Sequence, residues 1–101
     1  MVQRETVQLQ THFVYMVRCG NGALYTGYTT NVEKRIATHN AGKGAHYTRS
    51  HLPVVLCASW FFQSKGDALR AERVIKGLPR ARKQWLIEQA LPWGECGLGE
   101  P

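Results

Sequence analysis

A chain of 101 residues with 44% hydrophobic content has room for one small globular domain and no second core. Thirteen Lys and Arg against seven Asp and Glu give a net charge of +6 and an isoelectric point near 9.6, which points to a polyanionic partner, nucleic acid first. Cys19, Cys57 and Cys96 are odd in number and too scattered for a disulfide framework or a C-x-x-C zinc site; without an apolar leader or a bilayer-length apolar run, a soluble cytoplasmic protein is expected.

Residues 1–11 are polar and read as a loosely ordered leader, and the Gly- and Pro-rich 92–101 as a poorly ordered tail. The domain is 12–91, where twelve basic residues face only Glu33, Asp67, Glu72 and Glu88. Phe13-Val14-Tyr15-Met16-Val17 and Ala23-Leu24-Tyr25-Thr26 flank Gly20-Asn21-Gly22, and an Asn-Gly pair between β-prone runs predicts a hairpin. Thr30-Asn31-Val32-Glu33 has capping-box spacing, and Val32, Ile36 and His39 recur at helical intervals until Asn40 and Gly42 end the run. Residues 42–51 mix glycine, hydroxyl, cationic and aromatic groups without a period and read as a surface loop. Val54 to Phe62 is a nearly continuous apolar run, suited to a well-buried third strand.

Ser64-Lys65-Gly66-Asp67 repeats the capping-box spacing ahead of a helix through Lys76, stopped by Gly77 and Pro79; Arg80 to Ala90 predicts a short last helix. The expected architecture is α/β: a small three-stranded, mainly antiparallel sheet flanked by helices, in the order β-β-α-β-α-α.

On the second helix Ala68, Ala71, Ile75 and Leu78 share a face, and Glu72 projects from the same side. A carboxylate at the edge of an apolar face needs a partner, either Lys76 four residues on or a metal ion. Arg35 and His39, four apart on the first helix, can together hold a phosphate or simply line a solvated face. Strand alternation brings Tyr15 and Tyr25 into one sheet, where they either pack or present their hydroxyls on one face.

Together these residues resemble the GIY-YIG nuclease superfamily, its two signature tripeptides standing here as Phe13-Val14-Tyr15 and Tyr25-Thr26-Gly27, followed by Arg35, His39 and Glu72. The likeness spans about 12–83 and is nearest to the bacterial stand-alone members, through Ala23 to Gly27, Arg35 with His39, Gly42 to Ala45, and Ala68 to Glu72 in order. The resemblance implies that Tyr15 and Tyr25 are the signature tyrosines, one activating or orienting the attacking water. It implies that Arg35 steadies the scissile phosphate, that His39 stands where relatives carry His or Tyr, and that Glu72 binds the divalent metal. Phe13 and Val14 replace the first Gly-Ile, Thr26 replaces the second Ile, and Lys76, Lys83 or Gln84 are the candidates for a later Asn of many relatives.

The expected activity is hydrolysis of DNA phosphodiesters with Mg²⁺ or Mn²⁺, structure-selective or weakly specific, in repair or recombination. Glu72 alone is too little for a two-metal centre but enough for one Mg²⁺, which takes one or two carboxylates plus phosphate oxygens and waters. A free tyrosine, with a pKa of about 10, is roughly one part in a thousand ionised at pH 7, so a tyrosine base predicts an alkaline optimum; His39 is the alternative base or shuttle. Lys43, Tyr47, Arg49, Arg73, Lys76, Arg80, Arg82 and Lys83 are candidate nucleic-acid contacts, cations interleaved with aromatics. The expected partner is DNA, branched or single-stranded, with or without a protein that presents it, and no membrane is expected. Alternatives are a binding module that has lost the reaction and a partner-dependent nuclease subunit; a zinc site from His39, His46 and His51 matches no common ligand spacing.

Overall fold

A computed structural model describes residues 11–99. The proposed leader therefore lies, but for Thr11, outside the described residues. Strand β1 (His12–Arg18) is central in a sheet of order β2-β1-β3, with β2 (Leu24–Thr29) and β3 (Val55–Phe62) antiparallel to it on either side. The helices are α1 (Val32–Asn40), α2 (His46–Arg49), α3 (Lys65–Lys76) and α4 (Arg80–Gln89), and a single 3₁₀ turn follows at Trp93–Glu95. The expected α/β architecture is the one observed, with the short α2 added in the segment read as a loop.

β1 is apolar on both faces because both are covered. Val14 and Met16 join Trp60 and Phe62 against Ala68, Ala71 and Ile75 of α3 and Leu86 of α4; Tyr15 and Val17, pointing the other way, pack with Val54, Tyr25 and Ile36. The hairpin turn closes with the Gly22 N–H donating to the Cys19 carbonyl at 2.8 Å, and Gly22 takes φ +86°, which a side chain would strain.

Helix α1 is capped by Asn31 rather than Thr30: the Asn31 side chain accepts from the Lys34 N–H at 3.0 Å, while Thr29 Oγ1 accepts from the Asn31 N–H. Ser64 caps α3 as its spacing predicts, accepting from the Asp67 N–H at 3.1 Å.

Two expectations are corrected. β3 is an edge strand, with Val55, Leu56 and Phe61 exposed, because β1 takes the centre of the sheet; a bulge at Cys57 separates the Met16↔Ala58 and Val17↔Leu56 pairs. The C-terminal segment is packed as far as it is described. Trp93 lies edge-on against Trp60 and Phe62, Cys96 is buried, and Arg82 holds the Cys96 carbonyl. Its aromatic content outweighs the turn-forming Gly and Pro.

Thr26 sits where β2 crosses Met16, is 3% exposed, and its hydroxyl finds no hydrogen-bond partner among the described residues. A buried hydroxyl without a partner costs about 1–3 kcal/mol, whereas a methyl of the same shape costs nothing in lost hydrogen bonds. Thr26→Val is expected to raise the urea unfolding free energy by about 1 kcal/mol with an unchanged m-value.

Candidate active site

Residues from four elements meet on the α1 side of the sheet. Tyr15 lies opposite Gly27 and Tyr25 opposite Val17, so both tyrosines share a face, as strand alternation predicts. Both rings lie edge-on against the His39 imidazole, with centroids 5.8 and 5.7 Å away. Gly27 is required by this arrangement, since a Cβ there would collide with the Tyr15 hydroxyl. Gly44 is required in the same way, because its Cβ would collide with His39 Nδ1. In the sequence Gly44 stands out only as part of the run from Gly42 to Ala45.

One assignment of the protons satisfies every member of this network. Thr48 Oγ1 donates its one proton to the Ala45 carbonyl at 2.9 Å, so at 2.8 Å from His39 Nδ1 it accepts, and Nδ1 carries the imidazole proton. Nε2 is then the lone-pair nitrogen, and the Tyr15 hydroxyl 2.7 Å away donates to it. Arg35 Nε completes the line, donating to the same hydroxyl oxygen at 3.4 Å. Tyr15, His39 and Thr48 are each at most 1% exposed. Thr48, which sets the tautomer, was missed in the sequence; its only signal was a hydroxyl in an aperiodic segment.

Burial pushes the Tyr15 phenol above the usual tyrosine value; the Arg35 hydrogen bond and charge oppose the rise, and the Tyr25 and Glu72 charges add to it. Burial, then the positive charge of Arg35, holds His39 below the ordinary histidine value. Both shifts favour the same state, a protonated phenol donating to a neutral imidazole.

Glu72 comes from α3, which packs on β1 and β2; its side chain is 19% exposed and its carboxylate meets Lys76 Nζ at 3.4 Å. Beside Arg35, a shallow pocket of about 240 Å³ is lined by Thr29, Thr30, Asn31, Lys34, Arg35 and Thr38. Among the described residues no three His, Cys, Asp or Glu side chains gather as a metal cage. His39, His46 and His51 form no such group: His39 bonds Tyr15 and Thr48, His46 bonds Arg49, and His51 lies tilted against Tyr47.

The other cations do not form one patch. Lys43, Tyr47 and Arg49 lie about α2, and the Tyr47 hydroxyl accepts from Asn21 Nδ2. Arg73, Lys76, Arg80, Arg82 and Lys83 lie on α3 and α4, across the sheet from α1. Arg80 donates to the Gly22 carbonyl at 2.9 Å, and Arg82 covers the Trp85 ring at 4.5 Å, so both tie the fold together. Gln84 accepts from Arg18 at 3.0 Å, whereas Lys76 stands at Glu72.

The family model for the GIY-YIG catalytic domain matches residues 11–84. The chain belongs to the GIY-YIG catalytic domain family. It is 56% identical over 78 residues to a UPF0213 protein of Staphylococcus haemolyticus, covering 77% of this chain and 95% of that one. A UPF0213 protein of the archaeon Natronomonas pharaonis is 51% identical over 76 residues, covering 75% and 89%. Among solved structures, the NMR structure of a Bacillus halodurans UPF0213 protein superposes with a TM-score of 0.54 at 44% identity, covering 85% of this chain and 92% of its own. Tyr15, Tyr25, Gly27, Arg35 and His39 all fall within the GIY-YIG match, as does Glu72.

The buried neutral imidazole carries a stability signature. The unfolded chain takes up a proton at His39 near pH 6.5 while the folded chain resists until a lower pH, so the His39 contribution is complete above 6.5 and declines as the pH falls below it. Urea titrations between pH 5 and 8 are expected to show the wild type losing up to about 1.4 kcal/mol per pH unit in that window relative to His39→Gln. Parallel profiles for the two proteins would contradict a neutral buried His39.

Proposed function

We propose that the chain is a divalent-metal-dependent endonuclease that hydrolyses phosphodiester bonds in DNA, structure-selective or weakly specific, acting in the cytoplasm in repair or recombination. The observation that carries this reading is the buried line Arg35–Tyr15–His39–Thr48, which orders a proton donor and acceptor on the face bearing the signature tyrosines. Chemically, hydrolysis requires water to lose a proton, and a phenol held above its usual pKa is a poor source of standing phenolate. The arrangement supports a relay instead: Tyr15 Oη takes the water proton while passing its own to His39 Nε2. Tyrosine ends neutral, imidazolium forms, and hydroxide attacks phosphorus.

Arg35, which lines the neighbouring pocket, donates to the non-bridging oxygens as charge grows on them. Tyr25, half-buried on the same face, orients the water or the phosphate. Glu72 is the residue that would hold Mg²⁺ or Mn²⁺, and one partly exposed carboxylate fits an ion that keeps several waters. Held there, the ion would supply Lewis-acid stabilisation of the leaving oxygen. The Glu72–Lys76 pair favours a second reading, a nucleic-acid-binding module in which the carboxylate is satisfied by lysine alone.

Cleavage of single-stranded, duplex, flap and four-way-junction DNA with Mg²⁺ or Mn²⁺ tests the proposal. Glu72→Ala is expected to lower the rate by at least 100-fold with oligonucleotide affinity unchanged within about twofold; equal cutting removes the metal assignment, and no cutting by the wild type leaves the binding module. Through His39 the relay requires an acid limb below pH 6.5 and no rise toward alkaline pH. His39→Ala is expected to slow cleavage at pH 7 by 10² to 10³-fold and to move its optimum above pH 9, where phenolate itself becomes available.

A further inference from the structure

One row of the sheet lies outside the proton relay. Phe13 on β1 faces Thr29 on β2 and Phe61 on β3, so Thr29, Phe13 and Phe61 run across the sheet on the Tyr15 side, about 10 Å from end to end at ordinary strand spacing. Phe61 is 52% exposed and meets Phe13 edge-on at 5.7 Å. Phe13 and Thr29 are half-buried and Phe61 is exposed, which follows the course of α1. Its first turn sits by Thr29 through Asn31, and its last residue, Asn40, clamps the head of β3, accepting from the Val54 N–H and donating to the Val54 carbonyl. The far end of β3 is left without a helix over it.

Chemistry changes sharply along this row. At the Thr29 end is the pocket lined by Lys34 and Arg35 with Thr29, Thr30, Asn31 and Thr38. At the other end, residues 52–63 contain no charged side chain in a chain of net charge +6. A nucleotide has the matching polarity, an anionic phosphate joined to an uncharged π surface. Tyr15 lies two residues from Phe13, about 7 Å along the strand, the length of one nucleotide in an extended strand. A base stacked inside a duplex cannot offer its face to a side chain, whereas an unpaired one can. Phenylalanine stands at 13, where the first signature tripeptide is named for glycine.

We infer that Phe13 and Phe61 form a stacking platform for one unpaired base, whose phosphate sits against Thr29 and Lys34, one nucleotide from the bond presented to Arg35 and Tyr15. The inference rests on the nuclease reading and deepens it: the substrate is single-stranded or splayed DNA next to the scissile bond, as at a flap or a junction. Phe61 is a binding residue here and takes no part in proton transfer.

Fluorescence anisotropy in EDTA, without divalent metal, separates this inference from the cleavage reaction. The probes are a thymidylate 10-mer and an abasic 10-mer with the same number of phosphates. Phe61→Ala is expected to weaken binding of the thymidylate about tenfold, the ordinary worth of one stacked base, and to leave the abasic probe unchanged. Phe61→Trp is expected to restore or exceed wild-type affinity, and Phe61→Leu, apolar but without a π face, to behave as Phe61→Ala.

Equal losses on both probes, no loss on either, or a wild type that binds neither would overturn the platform. So would light scattering that finds a wild-type dimer made monomeric by Phe61→Ala, since a second copy would then own the surface. Failure to cleave DNA, with this binding pattern intact, would count against the nuclease reading alone.

Discussion

The buried hydroxyl of Thr48 has one proton to give, and much of the candidate site follows from where it goes. Spent on the Ala45 carbonyl, it makes Thr48 an acceptor, protonates His39 on Nδ1, and turns Nε2 toward the Tyr15 phenol. Three residues from three elements are thereby locked in one protonation pattern at almost no exposure to water. A buried polar network is stabilising only when every member is satisfied, and a half-satisfied one costs more than an apolar core. Glycine at 27 and 44 is part of the same constraint, because side chains there would occupy the space of the phenol and the imidazole. The short helix α2 exists in this setting as the element that brings Thr48 under His39.

Electrostatics divide the molecule differently from its net charge. Arg35 meets the buried line at the Tyr15 hydroxyl and also lines the pocket beside α1, so a single guanidinium joins the buried hydrogen bonds to the surface. Several remaining cations are structural: Arg80 holds the hairpin turn, Arg82 fastens the C-terminal segment over Trp85, and Arg18 engages Gln84. The rest lie on both sides of the sheet. A field spread in this way attracts a polyanion from many directions, and orientation must come from local features such as the pocket and the aromatic row.

The asymmetry of the sheet produces those local features. With β1 central, one face is closed by α3, α4 and the C-terminal aromatics, and the other is covered only where α1 and α2 reach. The Asn40 clamp on Val54 fixes the angle at which α1 crosses. On this face Tyr15 is enclosed and Phe61 is not.

Local signals were sufficient for much of this protein. The Asn-Gly turn, the Ser64 cap and the apolar stripe of α3 depend on neighbours within a few residues, so the sequence by itself determined the hairpin, α3 and their order. The resemblance singled out Tyr15, Tyr25, Arg35 and His39, which the structure gathers on one face, and Glu72, which it places on α3 beside Lys76. Tertiary structure decided what no local window contains. The burial of β3 depends on which strand takes the centre, and its unbroken apolar run reads the same at an edge. The tail's fate depends on Trp93 meeting Trp60, thirty-three residues away. The tautomer of His39 and the direction of the Tyr15 proton depend on Thr48, nine residues on and in another helix. Hydrogen-bond direction is fixed only when all partners are in place, because each donor's assignment waits on its neighbour's.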